Sequence, residues 1–154
     1  HPGYSANLFR VDAFLQRAAE LGLKTHRILE EEQPRVSYIE VSPLAGQIEQ
    51  LVRRLKLQTP LPCGIYLPMD HFAGAIFRAL RNSGLKYGED FEIILGNYNQ
   101  LIHNNLEYHP AAIDINLPTL VQKVIEHLVW RIENPDTAGR VGISISPCLR
   151  EALD

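Results

Sequence analysis

The residue types that could do chemistry in this 154-residue chain are six histidines, a few carboxylates and one cluster of amides around a tyrosine. His1, His26, His71, His103, His109 and His127 include no pair at the i, i+4 spacing that presents two imidazoles to one metal ion. His103 and His109 flank Glu107 in the polar stretch QLIHNNLEYHP, where converging ligands and a solvated loop are the two readings and the loop is preferred. Asp70 and His71 look like half of a catalytic triad, but neighbours at a helix start point in different directions, and no serine stands in a GxSxG turn. Neither a GxxxxGK loop nor a GxGxxG turn is present to cradle phosphates. No catalytic residue, metal ligand or cofactor is therefore assigned. Asn97, Tyr98 and Asn99 remain: amides offer paired donors and acceptors and a tyrosine face can lie on apolar C–H patches, which suits a polyhydroxylated ligand, while a plain turn is the other reading.

The element that must position these groups runs from Cys63 to Asn99 and reads as strand, helix, strand. GIYLP (64–68) is a short apolar run, and Asp70 stands where a carboxylate caps a new helix. Phe72, Ala75, Ile76, Ala79 and Leu80 form its apolar stripe, and Gly84 followed by Leu85 gives a left-handed exit with a hydrophobic clamp. FEIIL (91–95) is apolar enough for a strand buried on both faces. Such a unit has parallel strands and a right-handed crossover, and in open parallel sheets ligands collect beyond the carboxyl ends of the strands. Those ends deliver Met69 and Asp70 from one strand and Asn97, Tyr98 and Asn99 from the other.

Around that unit, the periodicity predicts a helix capped by Ser5 or Asn7, with Leu8, Val11, Phe14, Leu15, Ala18 and Leu21 on one face, ending at Gly22. Strands are expected at 24–29 and 36–41, then a helix capped by Ser42 with Pro43 as its first residue, reaching about Lys56. After the central unit come a strand at 111–115, a long helix from Leu117 to Ile132 and a closing strand at 141–146. The alternation argues for an α/β fold, a three-layer parallel sheet with helices on both faces. A hydrophobic share of 45% and a net charge of −3 fit an ordinary globular domain and give no basic field for nucleic acid. Two distant cysteines, with no signal-like or membrane-spanning stretch, make the cytoplasm the expected home. The start on His1 suggests a fragment or a processed product.

Five motifs in order resemble the effector-binding domain of the lac repressor family of bacterial transcription regulators, which has the periplasmic-binding-protein fold. Arg10 with Phe14 is similar to the family's Arg..Gly-Phe helix, with Ala13 at the glycine position and Gly22-Leu23 as its closing turn. GIYLPMDHFAGAIFRALRNSGL resembles its strand, Asn-Asp and helix, with Met69 in place of the asparagine, Asp70 retained and Ala73 following. GEDFEIILGNYN is similar to its strand and Gly-aromatic-Asp segment, with Gly96 retained and Tyr98 at the aspartate position. AAIDINLPTLVQKVIEHLVWRI and ISISPCL resemble the last strand pair and the long helix between them. The region of Val41 and Ser42, where many relatives carry a stacking aromatic, has none, and Tyr38 lies nearby.

What the resemblance implies is a non-enzymatic sensor: residues 1–154 as a single effector-binding lobe, a fragment of a longer regulator, with 117–146 as the segment that crosses to the other lobe and returns. It implies a carbohydrate-like effector held between lobes by Arg10, Ser42, Met69, Asp70, Asn97, Tyr98 and Asn99, and DNA contact only through a headpiece outside this chain. With the other lobe missing, the apolar face of the helix from Leu117 needs cover, by folding back or by a second copy, and a homodimer is expected. A solute-binding protein of a sugar transporter is the alternative reading, and an α/β enzyme the third.

Overall fold

The computed structural model describes the backbone of residues 2–27 and 42–152 and the side chains of 9–27 and 46–152. Its helices are α1 (Pro2–Glu20), α2 (Ser42–Gln58), α3 (Ala73–Asn82), α4 (Gln100–His103) and α5 (Leu117–Glu133). Its strands are β1 (Cys63–Leu67), β2 (Phe91–Leu95), β3 (Ala111–Asp114) and β4 (Cys148–Arg150), in the sheet order β1-β2-β3-β4. β1, β2 and β3 are parallel, with Leu67 opposite Leu95 and Leu95 opposite Ala112.

The strand pleat decides what each face packs against. Phe91, Ile93 and Leu95 are buried on one face, where Phe77 of α3 meets Phe91 at 6.3 Å between ring centroids and Tyr87 edge-on at 5.5 Å. Ile48, Val52 and Leu55 of α2 join the same cluster with Leu80 and Leu85. Tyr66 points to the opposite face, where Phe14 of α1 stacks on it at 4.6 Å. Helices thus lie on both faces, giving the expected three layers, although the second face is the thinner one: Glu92 is exposed and Ile94 half-buried, so β2 is not buried on both sides.

Two helix ends follow from the sequence. In α1, Leu23 N–H donates to Ala18 O at 2.9 Å and Gly22 N–H to Ala19 O at 3.0 Å; in α3, Leu85 N–H donates to Leu80 O and Gly84 N–H to Arg81 O. Both are Schellman exits, and Gly22 and Gly84 have φ of 68° and 80°, values that favour glycine.

Several expectations are corrected. α1 begins at Pro2 rather than after Ser5 or Asn7, and among the described side chains of its apolar face, from Val11 onward, only Ala18 is buried, with Leu21 exposed. Residues 24–27 form no strand, while 28–29 and the strand expected at 36–41 lie outside the described residues. Asp70 does not cap: it opens a 3-10 turn (Asp70–Phe72) whose preceding residue is Met69, and neither that turn nor α3 has a side-chain cap. The closing strand is not 141–146 but β4, and it runs antiparallel to β3, pairing Asp114 with Cys148 and Ala112 with Arg150. Pro147 donates no ladder hydrogen bond, so pairing starts just after it, and the ion pair between Arg150 and Asp114 holds this register. No residue of α5 is buried; the helix does not fold back onto the sheet.

Candidate functional site

At the carboxyl ends of β1 and β2 the chain is pinned by a glycine. Gly96 N–H donates to Leu67 O at 2.6 Å, and a Cβ on Gly96 would fall 2.6 Å from Tyr66 Oη and 2.9 Å from both Cα and O of Pro68. Only a residue without a side chain lets the two strand ends close this tightly. The approach sets Asn97 beside the 3-10 turn, where its Nδ2 lies 3.5 Å from both carboxylate oxygens of Asp70.

Asp70 is 1% exposed, so it is a foundation rather than a contact surface. It orients Asn97 and stands 3.4 Å from Nδ1 of His71, whose side chain is 39% exposed. Arg10 reaches the same edge from α1, donating through Nη1 to the Pro68 carbonyl at 3.3 Å. Asn99 is occupied: its Oδ1 accepts from Leu101 N–H and Ile102 N–H and caps α4, which favours the plain-turn reading for this residue. Tyr98 is half-buried, its ring 4.6 Å from that of His103 and 5.3 Å from the Arg150 guanidinium carbon, so it is already engaged by neighbours rather than held open for stacking. The Ser42 side chain lies outside the described residues; its backbone opens α2. Arg10, Met69, Asp70, Asn97 and Tyr98 are therefore brought to one edge, with Asn99 turned to capping.

Three residues of this edge were not selected from the sequence. His103 is buried, with Nε2 lacking a hydrogen-bond partner. Asp114 ends β3 and accepts from Asn116 N–H at 2.7 Å and from Nε and Nη2 of Arg150 at 3.1 and 2.9 Å. A lone aspartate closing the apolar run AAIDI was the available signal; Arg150, 36 residues away, had none. Burial alone would push the Asp114 carboxyl up, but the Asn116 amide and the Arg150 guanidinium outweigh it and hold it below the usual range. The Arg150 guanidinium is pushed up in turn, first by its hydrogen bond to Asp114.

Burial also lowers the His103 pKa from its ordinary 6.5, with the Asp70 carboxylate pulling the other way and His109 adding to the fall. A histidine that folds neutral stabilises the protein above about pH 6.5, and that contribution is lost as the pH falls towards its lowered folded value, because the unfolded chain takes up the proton first. Urea unfolding followed from about pH 8 down to pH 5 should show this slope, and His103→Phe should flatten part of it. An unchanged slope in that variant would remove His103 from the acid response.

Elsewhere, an open depression of about 330 Å³ at the amino ends of β1 and β2 is lined by Pro62, Cys63, Gly64, Gly88, Glu89, Phe91 and Glu92, and it offers no converging donors. Among the described residues no group of three or more histidine, cysteine or acidic side chains could hold a metal ion.

The sheet is mostly parallel, with polar groups gathered at strand ends and helix starts, where open parallel α/β sheets carry their ligands. The chain belongs to the family of periplasmic binding protein-like domains, whose model matches residues 4–152. The crystal structure of the transcription regulator CcpA of Lactococcus lactis is similar, with a TM-score of 0.68 and 18% identity over 95% of this chain and 49% of that one. The chain thus spans about half the length of that regulator. The family match bears out the expected periplasmic-binding-protein-like domain, and the structural likeness agrees with that fold. Comparison with curated proteins gives no match. No helix among the described residues is long and apolar enough to cross a membrane.

Proposed function

We propose that the chain is the ligand-sensing lobe of a cytoplasmic transcriptional regulator that binds a carbohydrate-like effector between lobes and reaches DNA through a headpiece outside these residues. The observation that carries this reading is the carboxyl edge, where Arg10, Met69, Asn97 and Tyr98 gather over a buried Asp70. An amide held by the buried Asp70 carboxylate and a guanidinium held by the Pro68 carbonyl suit the hydroxyl groups of a ligand. Residues 117–146 are the segment that crosses to the other lobe in this reading, and a homodimer covers the face of α5.

Calorimetric titration of the full gene product against a sugar panel tests it. Arg10→Ala should weaken the sugar that binds by about 1.5–3 kcal/mol, the range for a hydrogen bond to a charged group. Unchanged affinity in that variant would take Arg10 out of the site.

A further inference from the structure

The two carboxylates at the carboxyl edge are covered, while the His71 imidazole and the Arg150 guanidinium beside them are exposed. Asp70 is 1% exposed beneath His71, and the Asp114 side chain is 12% exposed beneath Arg150, whose own side chain is 56% exposed. The strand-end segments 68–71, 96–99 and 114–116 contain no other acidic residue. Within those strand-end segments both carboxylates are covered, and the groups beside them are the Arg10 guanidinium from α1, the exposed His71 imidazole and the exposed Arg150 guanidinium from β4.

Arg150 is built for the role. Its Nε and Nη2 are fixed on one oxygen of Asp114, while Nη1 has no bond to that carboxylate. The Tyr98 ring 5.3 Å away supports the guanidinium plane, and Asp114 is itself anchored by the Asn116 amide. A planar fork held in place by a carboxylate behind it loses little freedom on meeting a second anion in front. The contacts run without a gap from Asp70 and Asn97 through Tyr98 to Arg150 and Asp114, so Arg150 continues the edge proposed to hold the effector.

We propose that the effector carries an acidic group, a carboxylate or a phosphate, and that Arg150, steadied by Asp114 and Tyr98, is the residue that takes it. This rests on the carbohydrate reading above and narrows it to acidic sugars. A neutral sugar would leave the outward guanidinium to water, whereas an acidic one forms a charge-assisted pair there.

The test uses the full gene product with glucose, glucuronate and inorganic phosphate as probes, followed by NMR at the Arg150 Nε–H and at the backbone amides of Asn97 and Tyr98. Glucuronate should bind at least about tenfold more tightly than glucose, with saturable shifts at all three positions. A shift with phosphate alone, confined to Arg150, would assign the corner to a phosphate rather than a carboxylate, and its absence would assign it to the carboxylate. Arg150→Gln should abolish the preference for glucuronate, and Arg150→Lys, which keeps the charge on β4 but not the fork, should retain part of it. Equal binding of glucose and glucuronate, or a preference that survives in Arg150→Gln, overturns the acidic effector and leaves the carbohydrate reading standing. No saturable shift with either sugar overturns both.

Discussion

Replacing Gly96 by valine should lower folding stability by about 3 kcal/mol, at the upper end of ordinary overpacking, because the added atoms have nowhere to go. A Cβ at this position already meets Pro68 Cα and O at 2.9 Å, and backbone cannot swing aside as the end of a flexible side chain can. The neighbouring 2.6 Å bond from Gly96 N–H to Leu67 O would have to lengthen, and Asn97 would move off Asp70. For a chain of this size the expected fall in Tm is roughly 6–12 °C. Gly64, in β1, is the matched control: nothing lies within 4 Å of its added Cβ, so Gly64→Ala should stay within about 0.5 kcal/mol. Chemical unfolding of the two variants decides the matter, and a Gly96→Val protein as stable as the unaltered chain would show that the strand ends are not held together here.

The second large effect concerns α5. Val121, Val124, Ile125, Leu128, Val129, Trp130 and Ile132 are between 40% and 70% exposed on one helix with no buried residue. Leaving a large aliphatic side chain in water forgoes about 1.5–3 kcal/mol, so a face of this extent gains more from a partner than any single surface contact offers. With the proposed homodimer as that partner, Ile125→Glu should weaken self-association by at least about 1.4 kcal/mol, or tenfold, since a carboxylate would be buried across the contact. Folding of the single chain should change by less than about 0.5 kcal/mol, because Ile125 contributes nothing to the core. Light scattering over a dilution series measures the first quantity and urea unfolding the second. An unaltered chain that stays monomeric at every concentration would remove the homodimer.

Local chemistry made much of this protein legible before any coordinate. Apolar stripes at spacings of three and four place α2, α3 and α5, and Gly22-Leu23 and Gly84-Leu85 end two helices as glycine followed by leucine should. The unit of β1, α3 and β2, its parallel pairing and the edge where Met69, Asp70, Asn97 and Tyr98 meet follow from the one stretch Cys63–Asn99, while Arg10 was placed there by the family resemblance. Family motifs added the fold by name, and the match over residues 4–152 agrees.

Tertiary structure alone decided the rest, because those outcomes depend on partners distant in sequence. Whether Asp70 caps a helix or lies buried under Asn97 and His71 is settled by how closely β2 approaches β1 at Gly96, a distance no local pattern encodes. The alternation at 141–146 reads as a strand, yet a strand exists only where an edge is free to receive it, and the β3 edge is taken by Cys148–Arg150 through the ion pair to Asp114. The burial of His103 and the placing of Arg150 against Tyr98 are likewise products of assembly. The sequence by itself determined the helices α2, α3 and α5, the strands β1, β2 and β3 and the edge that carries the polar groups, since propensity and periodicity are properties of neighbours. Which of those groups face a ligand, and which are buried to hold the others in place, was decided by packing across the sheet.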